Sequence, residues 1–311
     1  MTETLSHQPV LYQEIIHALR PLRTGYYVDC TVGAGGHAWG ILQASDPDGR
    51  LLGLDLDPDA IELAKRKLAP FHSRVTLIQA SYTTLSEQLQ TLDWPAVDGI
   101  LLDLGLSSMQ LDNPERGFSF RHDGPLDMRF DPGSNLRAYD LVNNLSKDQL
   151  ADILYKSGEE RHSRKVAEAI VAARPILTTN QLAVVISAAT TGGKSGIHPA
   201  TRTFQALRIT VNNELERLEV LLPQIVTSLA AAGRLVIVAY HSLEDRIVKS
   251  FLREESSDCI CPPRQPICTC DHQATIKLIT RRPIRPSDEE VRSNPRSRSA
   301  RMRVAERVQT E

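Results

Sequence analysis

Three apolar runs that each stop at an aspartate constrain this chain more than any other feature. Tyr26-Tyr27-Val28-Asp29 passes directly into Cys30-Thr31-Val32-Gly33-Ala34-Gly35-Gly36-His37. Leu51-Leu52-Gly53-Leu54-Asp55 follows, and Gly99-Ile100-Leu101-Leu102-Asp103 comes later. Short continuous apolar runs read as strands covered on both faces, the habit of parallel sheets. A glycine-rich turn between such a strand and a helix is how an open α/β sheet holds a nucleoside-containing ligand at its carboxyl edge.

The segments between the runs fit that reading. Val10 to Leu19 has the apolar spacing of a short amphipathic helix. Helices are expected from His37 to Ala44, from Pro58 through Leu68, and from Tyr82 to Leu92, with a third strand over Val75 to Ile78. After the fourth strand the rhythm stops. Gln110 to Gly133 is rich in Gly, Pro, Asp, Asn and Arg, with Phe118, Phe120 and Phe130 among them. Long connections of this kind are functional or disordered. Leu136 to Ala189 reads as a small helical unit, with Ser146/Gln149 and Thr178/Gln181 placed as capping boxes, and Thr191 to Pro199 reads as a loop. A long helix is expected from Thr201 toward Leu222, kinked or restarted at Pro223. Arg234 to Tyr240 is a buried strand, Asp245 to Leu252 a helix, and Ala274 to Thr280 a late strand. The α/β fold therefore resumes after an insertion.

A chain of 311 residues with 41% hydrophobic content allows one large domain or two unequal ones. The N-terminus lacks the charged and apolar regions of a signal peptide. No apolar run approaches the roughly 20 residues of a membrane helix. Both observations lead to the expectation of a cytoplasmic protein. The formal net charge of −2 says nothing about nucleic acid, but from Arg281 to Glu311 nine arginines face five acidic residues. That segment is either a solvated tail or part of a phosphate-binding surface.

The turn after the first strand narrows the ligand. Gly33-x-Gly35-x-x-Ala38 satisfies a relaxed dinucleotide fingerprint, which with Asp55 keeps a nicotinamide oxidoreductase as an alternative. Asp29, four residues before Gly33, is poorly placed for a pyrophosphate. It suits a ligand with an amino group and a positive charge, and S-adenosyl-L-methionine carries both. Asp55 stands where a carboxylate holds ribose hydroxyls. Tyr82, just past the third strand, either stacks on adenine or fills core. Asp103 ends the fourth strand, where such folds face the reacting group.

With these residues in view the chain resembles the bacterial 16S rRNA cytosine-N4-methyltransferase family. The resemblance runs colinearly from His7 to Val10, through Asp29 to His37, Asp55 to Pro58, Leu101 to Ser108, Gln110 to Asp112 and Glu115-Arg-Gly-Phe-Ser-Phe120. It continues through Asp123-Gly-Pro-Leu-Asp-Met-Arg129, Gly158 to Arg161, His198 to Arg208, Val211 to Leu215, His241 to Lys249 and Asn294 to Ala300. It implies a Rossmann-like class I S-adenosylmethionine-dependent methyltransferase fold, α/β, with an inserted small helical domain. In domain terms, 1–110 and 199–311 form a discontinuous methyltransferase domain, and 111–198 is the substrate-recognition insert. The implied activity is rRNA methylation: methyl transfer to the exocyclic N4 of a cytidine in the decoding region, near the P site. The substrate is 16S rRNA within the small ribosomal subunit, and a homodimer is left open. The family's cofactor contacts fall on Gly35, Gly36, His37, Asp55, Tyr82, Asp103 and Gln110, beside Asp29 and Gly33 from the residues themselves.

On the base side the candidates are Asp103, Ser107, Phe118 and His241. Asp103 would accept a hydrogen bond from N4 or serve the cofactor alone. Ser107 follows Asp103-Leu-Gly-Leu106, which stands where nucleic-acid amino-methyltransferases often have an Asn-Pro-Pro-Tyr-like tetrad. Phe118 or Phe120 would then supply a stacking ring, each being equally plausible as core. His241, just after a strand, either contacts RNA or is structural. Arg116, Arg121, Arg129, Arg202 and Arg208, with Arg296, Arg298, Arg301 and Arg303, either bind phosphate or pair locally with Asp112, Asp123 or Asp127. A C5-methyltransferase needs a cysteine nucleophile. Cys30 sits in the first turn with no evident activating base, so direct transfer fits better. A non-catalytic RNA-binding or ribosome-assembly protein is a further alternative, resting on the arginine-rich end. Finally, Cys259-x-Cys261 and Cys268-x-Cys270 are zinc ligands, free thiols or a redox-sensitive cluster, in spacing tighter than the common Cys-x-x-Cys.

Overall fold

The computed structural model describes residues 9–190, 198–262, 265 and 267–309. The expectations that fall on residues 1–8, on most of the Thr191 to Pro199 loop, and on Pro263 and Pro266 lie outside them. The chain forms two compact units, Met1–Gly105 with Glu216–Glu311, and Leu106–Leu215.

The first unit is a seven-stranded sheet in the order β3-β2-β1-β4-β5-β7-β6. Its strands are β1 Tyr26–Asp29, β2 Arg50–Asp55, β3 Val75–Gln79, β4 Val97–Asp103, β5 Leu229–Ala239, β6 Ile276–Leu278 and β7 Arg301–Arg307. The first five run parallel, and β7 pairs antiparallel with both β5 and β6. This is the Rossmann-like fold expected of a class I methyltransferase. The strand order reverses between β1 and β4, which opens a crevice at their carboxyl ends. Helices α1 Tyr12–Leu19, α2 Gly36–Ala44 and α3 Pro58–Leu68 belong to this unit, as does α4 Leu85–Thr91.

Period-2 alternation in the strands feeds two cores. On one face Val28, Leu102 and Ile237 meet Leu85 of α4 and later helical residues Ile225 and Leu252. On the other, Tyr27, Leu101 and Val238 meet Ile15, Ile41 and Leu68. Burying each such side chain contributes roughly 1.5–3 kcal/mol.

The second unit contains α5 Ser108–Asp112, α6 Ala138–Asn144, α7 Lys147–Gly158, α8 Ser163–Ala172, α9 Thr179–Ala189 and α10 Ala200–Asn212. Both expected capping boxes form, with Ser146 receiving Gln149 N–H at 3.3 Å and Thr178 receiving Gln181 N–H at 3.3 Å. The unit is wider than the 111–198 insert expected from sequence, because α10 packs into its core through Phe204, Leu207 and Val211. The loop-like stretch before α6 is folded by polar contacts. The Arg116 guanidinium donates to the carbonyls of Arg129 and Phe130, and Asn212 bonds both Phe130 N and Met128 O.

One expected helix is two. The chain breaks at Asn213, in the left-handed region at φ 49°, and α11 Glu214–Ser228 then runs through Pro223. Asparagine tolerates that conformation and so ends helices as glycine does. The remaining helices are α12 Ser242–Glu255 and α13 Asp288–Ser293. Among the described residues no helix is long and apolar enough to cross a membrane.

The larger correction concerns the arginine-rich end. Arg301–Arg307 is strand β7, an inner strand of the sheet rather than a tail. Arg303 is 8% exposed and donates to Asp245 Oδ1 at 2.7 Å, while Arg301 reaches Asp245 Oδ2 at 3.0 Å. Arg303 is committed to the fold and is not part of a phosphate surface.

Candidate active site

The carboxyl edge of the sheet is assembled by the turns after β1, β2, β4 and β5. After β1 the backbone enters α2 through Gly35, whose φ is +81°. A Cβ on Gly36 would lie 2.4 Å from Pro9 Cγ. The first glycine serves the turn and the second the close approach of the N-terminal segment.

Asp29 is 1% exposed, and its Oδ1 accepts the Thr31 N–H at 3.2 Å. Burial pushes its pKa up to about 7, against the lowering effects of His37 and that N–H. Among the described residues no lysine or arginine forms an ion pair with it. Asp55 accepts from Gly33 N and Asp57 N, each at 2.9 Å. Burial raises it to about 6 in spite of those two donors. A carboxylate as deeply buried as Asp29, with no lysine or arginine paired to it among the described residues, is costly to ionise.

His37, 6% exposed, stacks on Tyr12 and has no hydrogen-bond partner for either ring nitrogen. Its Nε2 lies 3.4 Å from Asp103 Oδ2, without hydrogen-bond geometry. A buried polar atom left unpaired calls for a ligand or water.

Asp103 is the best-fixed group of the edge. Its N–H donates to Thr31 Oγ1 at 2.8 Å, and its Oδ1 accepts the Tyr240 O–H at 2.9 Å. Burial and this carboxylate hold the Tyr240 phenol well above its ordinary pKa, so it stays a donor. Neither Thr31 nor Tyr240 was singled out from sequence. The signal for Tyr240 was its place directly after the apolar run of β5.

The other expected residues sit as follows. Tyr82 is half-buried and packs against the core beside α4. His241 caps α12, its Nδ1 accepting Glu244 N–H at 3.4 Å, with 8% of the side chain exposed. In the second unit Ser107 and Gln110 form the capping box of α5, with bonds of 3.2 and 3.1 Å. Phe118 is buried, stacked on Phe130 at 5.5 Å, so its ring is spent on the core of that unit. Phe120 is only half-buried, stacked on His198.

The arginine set divides. Arg129 pairs with Asp127 at 2.6 Å and Arg208 with Glu214 at 2.7 Å, so these two hold the second unit together. Arg121 and Arg202 are exposed. In the first unit Arg285, Arg298 and Arg301 line a polar recess of about 310 Å³ with Tyr240, His241 and Ser242. Cys30 is 1% exposed, and burial followed by the Asp29 charge raises its thiol pKa well above 9.0. Such a thiol is inert, which removes the nucleophile a C5 route would need.

The donor set fits S-adenosylmethionine: a buried carboxylate at the end of β1 with no lysine or arginine paired to it among the described residues, a second carboxylate at the ribose position of β2, and a buried histidine on α2 whose ring nitrogens have no hydrogen-bond partner. A buried carboxylate beside the first turn is unfavourable for a pyrophosphate, which argues against the nicotinamide alternative.

Comparison with known proteins agrees. The chain is 52% identical over 302 residues to Ribosomal RNA small subunit methyltransferase H of Dehalococcoides mccartyi, covering 97% of this chain and 86% of that one. It is 48% identical over 306 residues to the protein of the same name from Thermomicrobium roseum, covering 97% and 94%. For the one from Lawsonia intracellularis the figures are 47% over 309 residues, 97% and 99%. A model of the MraW methylase family matches residues 4–308. That span takes in the sheet and the inserted unit alike, and the chain belongs to the MraW methylase family.

Proposed function

We propose that this protein methylates the exocyclic N4 of a cytidine in the decoding region of 16S rRNA, near the P site, by direct transfer from S-adenosylmethionine. The observation that carries the reading is the carboxyl edge of β1, β2 and β4. There, among the described residues, the buried Asp29 has no lysine or arginine paired with it, and neither ring nitrogen of His37 has a hydrogen-bond partner.

In this reading Asp29 receives the cofactor's ammonium through its neighbourhood, Asp55 the ribose hydroxyls, and the Gly33 to Gly36 turn lets the backbone approach. Tyr82 borders the adenine, and the family resemblance adds Gln110 to the cofactor contacts. When bound, the cofactor supplies an electrophilic methyl group on a sulfonium. The protein's task is position. The N4 lone pair is delocalised into the ring, so the amine must be held in line and drawn out of conjugation. Asp103 accepts one N4–H and takes the proton that the methylated amine releases. Tyr240 keeps that carboxylate from rotating, and Thr31 holds the Asp103 backbone through its N–H. His241 builds the start of α12, which presents Tyr240, and Ser107 builds the start of α5. The base has to leave its stack to reach such an edge; within the inserted unit Phe120 is better exposed than Phe118.

The inserted unit is read as the substrate-recognition element, with Arg121 and Arg202 on phosphates. The recess of Arg285, Arg298 and Arg301 is a second phosphate contact. These contacts position without reading sequence, which favours the folded small subunit, in the cytoplasm, over naked RNA.

The test incubates the protein with methyl-labelled S-adenosylmethionine and small subunits lacking the modification, or their deproteinised RNA. Nucleoside mass spectrometry then identifies the product. N4-methylcytidine on subunits is expected. C5-methylcytidine would overturn direct transfer, and cofactor binding without any product would favour an assembly role.

A further inference from the structure

The function leaves unused the segment between α12 and β6. Between Leu252 and Ile276 none of the described residues is buried, and Ile260 and Ile267 are exposed at 45% and 74%. Nothing apolar holds this long connection in place. What it does contain is four cysteines whose sulfurs converge. Cys268 Sγ lies 3.6 Å from Cys259 Sγ, 4.0 Å from Cys261 Sγ and 3.5 Å from Cys270 Sγ. Cys259 and Cys270 are 3.9 Å apart, and all four sulfurs lie within 4.8 Å of one another.

These separations have a specific meaning. Zinc–thiolate bonds of about 2.3 Å in a regular tetrahedron place the sulfurs about 3.8 Å apart. The measured spacings cluster around that value. They are far longer than the roughly 2.05 Å of a disulfide. The backbone adds a second shell. Ile260 N–H points to Cys270 Sγ at 3.5 Å, and Thr269 N–H points to Cys261 Sγ at 3.4 Å. Each Cys-x-Cys thus donates an amide from its middle residue to a sulfur of the other pair. N–H donors of this kind stabilise thiolates in metal sites.

We propose that Cys259, Cys261, Cys268 and Cys270 bind one structural zinc ion, which replaces the missing core of this segment. The four thiols lose their protons to solvent as the metal binds. Its place in the fold separates it from catalysis. Helix α12 starts at the carboxyl edge, after β5, and its 14 residues carry the chain back about 21 Å. β6 then begins with Ile276 opposite Arg307, the end of β7, which lies beside the amino-terminal half of β5. The cysteines therefore close the sheet at the edge opposite Asp29, Asp55 and Asp103. His272 is engaged elsewhere, its Nε2 lying 3.1 Å from Glu254 O.

The test uses the full chain purified under reducing conditions. Elemental analysis is expected to find one zinc per chain, absent from C259S/C268S. Exchange of zinc for cobalt in the wild-type protein should give the visible bands of a tetrahedral cobalt tetrathiolate, a readout that does not depend on the variant folding. Removal of the metal should expose the 256–275 segment to proteolysis while S-adenosylhomocysteine binding is unchanged. A zinc content no higher than that of C259S/C268S, failure of cobalt to give a thiolate spectrum, or two disulfides in the reduced preparation would overturn the proposal.

Discussion

Asp29 and Asp245 stand in the same unit, each nearly buried, and the fold treats them in opposite ways. Asp245 is 8% exposed and held between Arg303 and Arg301. Burial pushes its pKa up, but the two guanidinium groups outweigh that and hold it below the ordinary carboxylate range. Asp29 is buried more deeply and has no such partner, so burial prevails and its pKa rises to about 7. A carboxylate whose charge is answered inside the chain secures β7 against α12. One whose charge is left unanswered is a site awaiting a cation. The contrast separates structure from function more sharply than burial or residue type does.

The largest effect should come from removing the unanswered charge. Asp29→Asn is expected to weaken S-adenosylhomocysteine binding about a hundredfold, from the 2–5 kcal/mol lost with one member of a buried charged contact. The thermal midpoint of the ligand-free protein should hold or rise, because an uncompensated buried carboxylate has gone. Calorimetric titration beside a melting curve reads both. A lowered midpoint with unaltered affinity would make Asp29 structural and erase the contrast.

Asp245→Asn should do the reverse. The buried Arg303 and the more exposed Arg301 lose their counter-charge, at a cost of about 3 kcal/mol in unfolding free energy. Denaturant unfolding measures it, and cofactor affinity in the folded fraction should be that of the wild type. Smaller again is Tyr240→Phe. Losing the bond that fixes Asp103 should lower kcat about tenfold, the worth of one oriented hydrogen bond, while KM for the cofactor stays put. Arg298→Ala should be the mildest, weakening subunit binding a few-fold and reducing its salt slope by about one. No change in that slope would take the arginine recess out of the RNA surface.

The contrast was only half legible in the sequence. Asp29, Asp55 and Asp103 each close a short continuous apolar run, and that pattern locates them at one edge of a parallel sheet without tertiary knowledge. β7 was hidden for the opposite reason. Arg301-Met-Arg-Val-Ala-Glu-Arg307 alternates as a strand should, but its charges look solvated until Asp245, over fifty residues earlier, comes across the sheet to meet Arg303 at 2.7 Å. The break at Asn213 turned on one residue entering the left-handed region, a choice made by local packing. Tyr240 and Thr31 were missed because their role is to hold another residue in place, Tyr240 at the Asp103 carboxylate and Thr31 at its backbone N–H, and that is a matter of distance rather than spacing. Phe118 illustrates the remaining ambiguity: a ring beside an active-site segment reads equally as platform or core, and Phe130 decides it for the core.

The most direct test of the central claim, that Asp29 awaits a cationic cofactor, is proton release on binding. The group's folded pKa of about 7 is raised, so its contribution to the stability of the ligand-free protein is present at low pH and is lost as pH rises through 7. A cation reverses that sign by favouring the ionised form. Affinity for S-adenosylhomocysteine should therefore fall as pH drops below about 7, by up to tenfold per unit, and fall further as Asp55 protonates near pH 6. Calorimetry in buffers of different ionisation heat should find proton release near pH 6.5 in the wild type and less in Asp29→Asn. Binding of equal strength from pH 5 to 8 with no proton released would contradict the account.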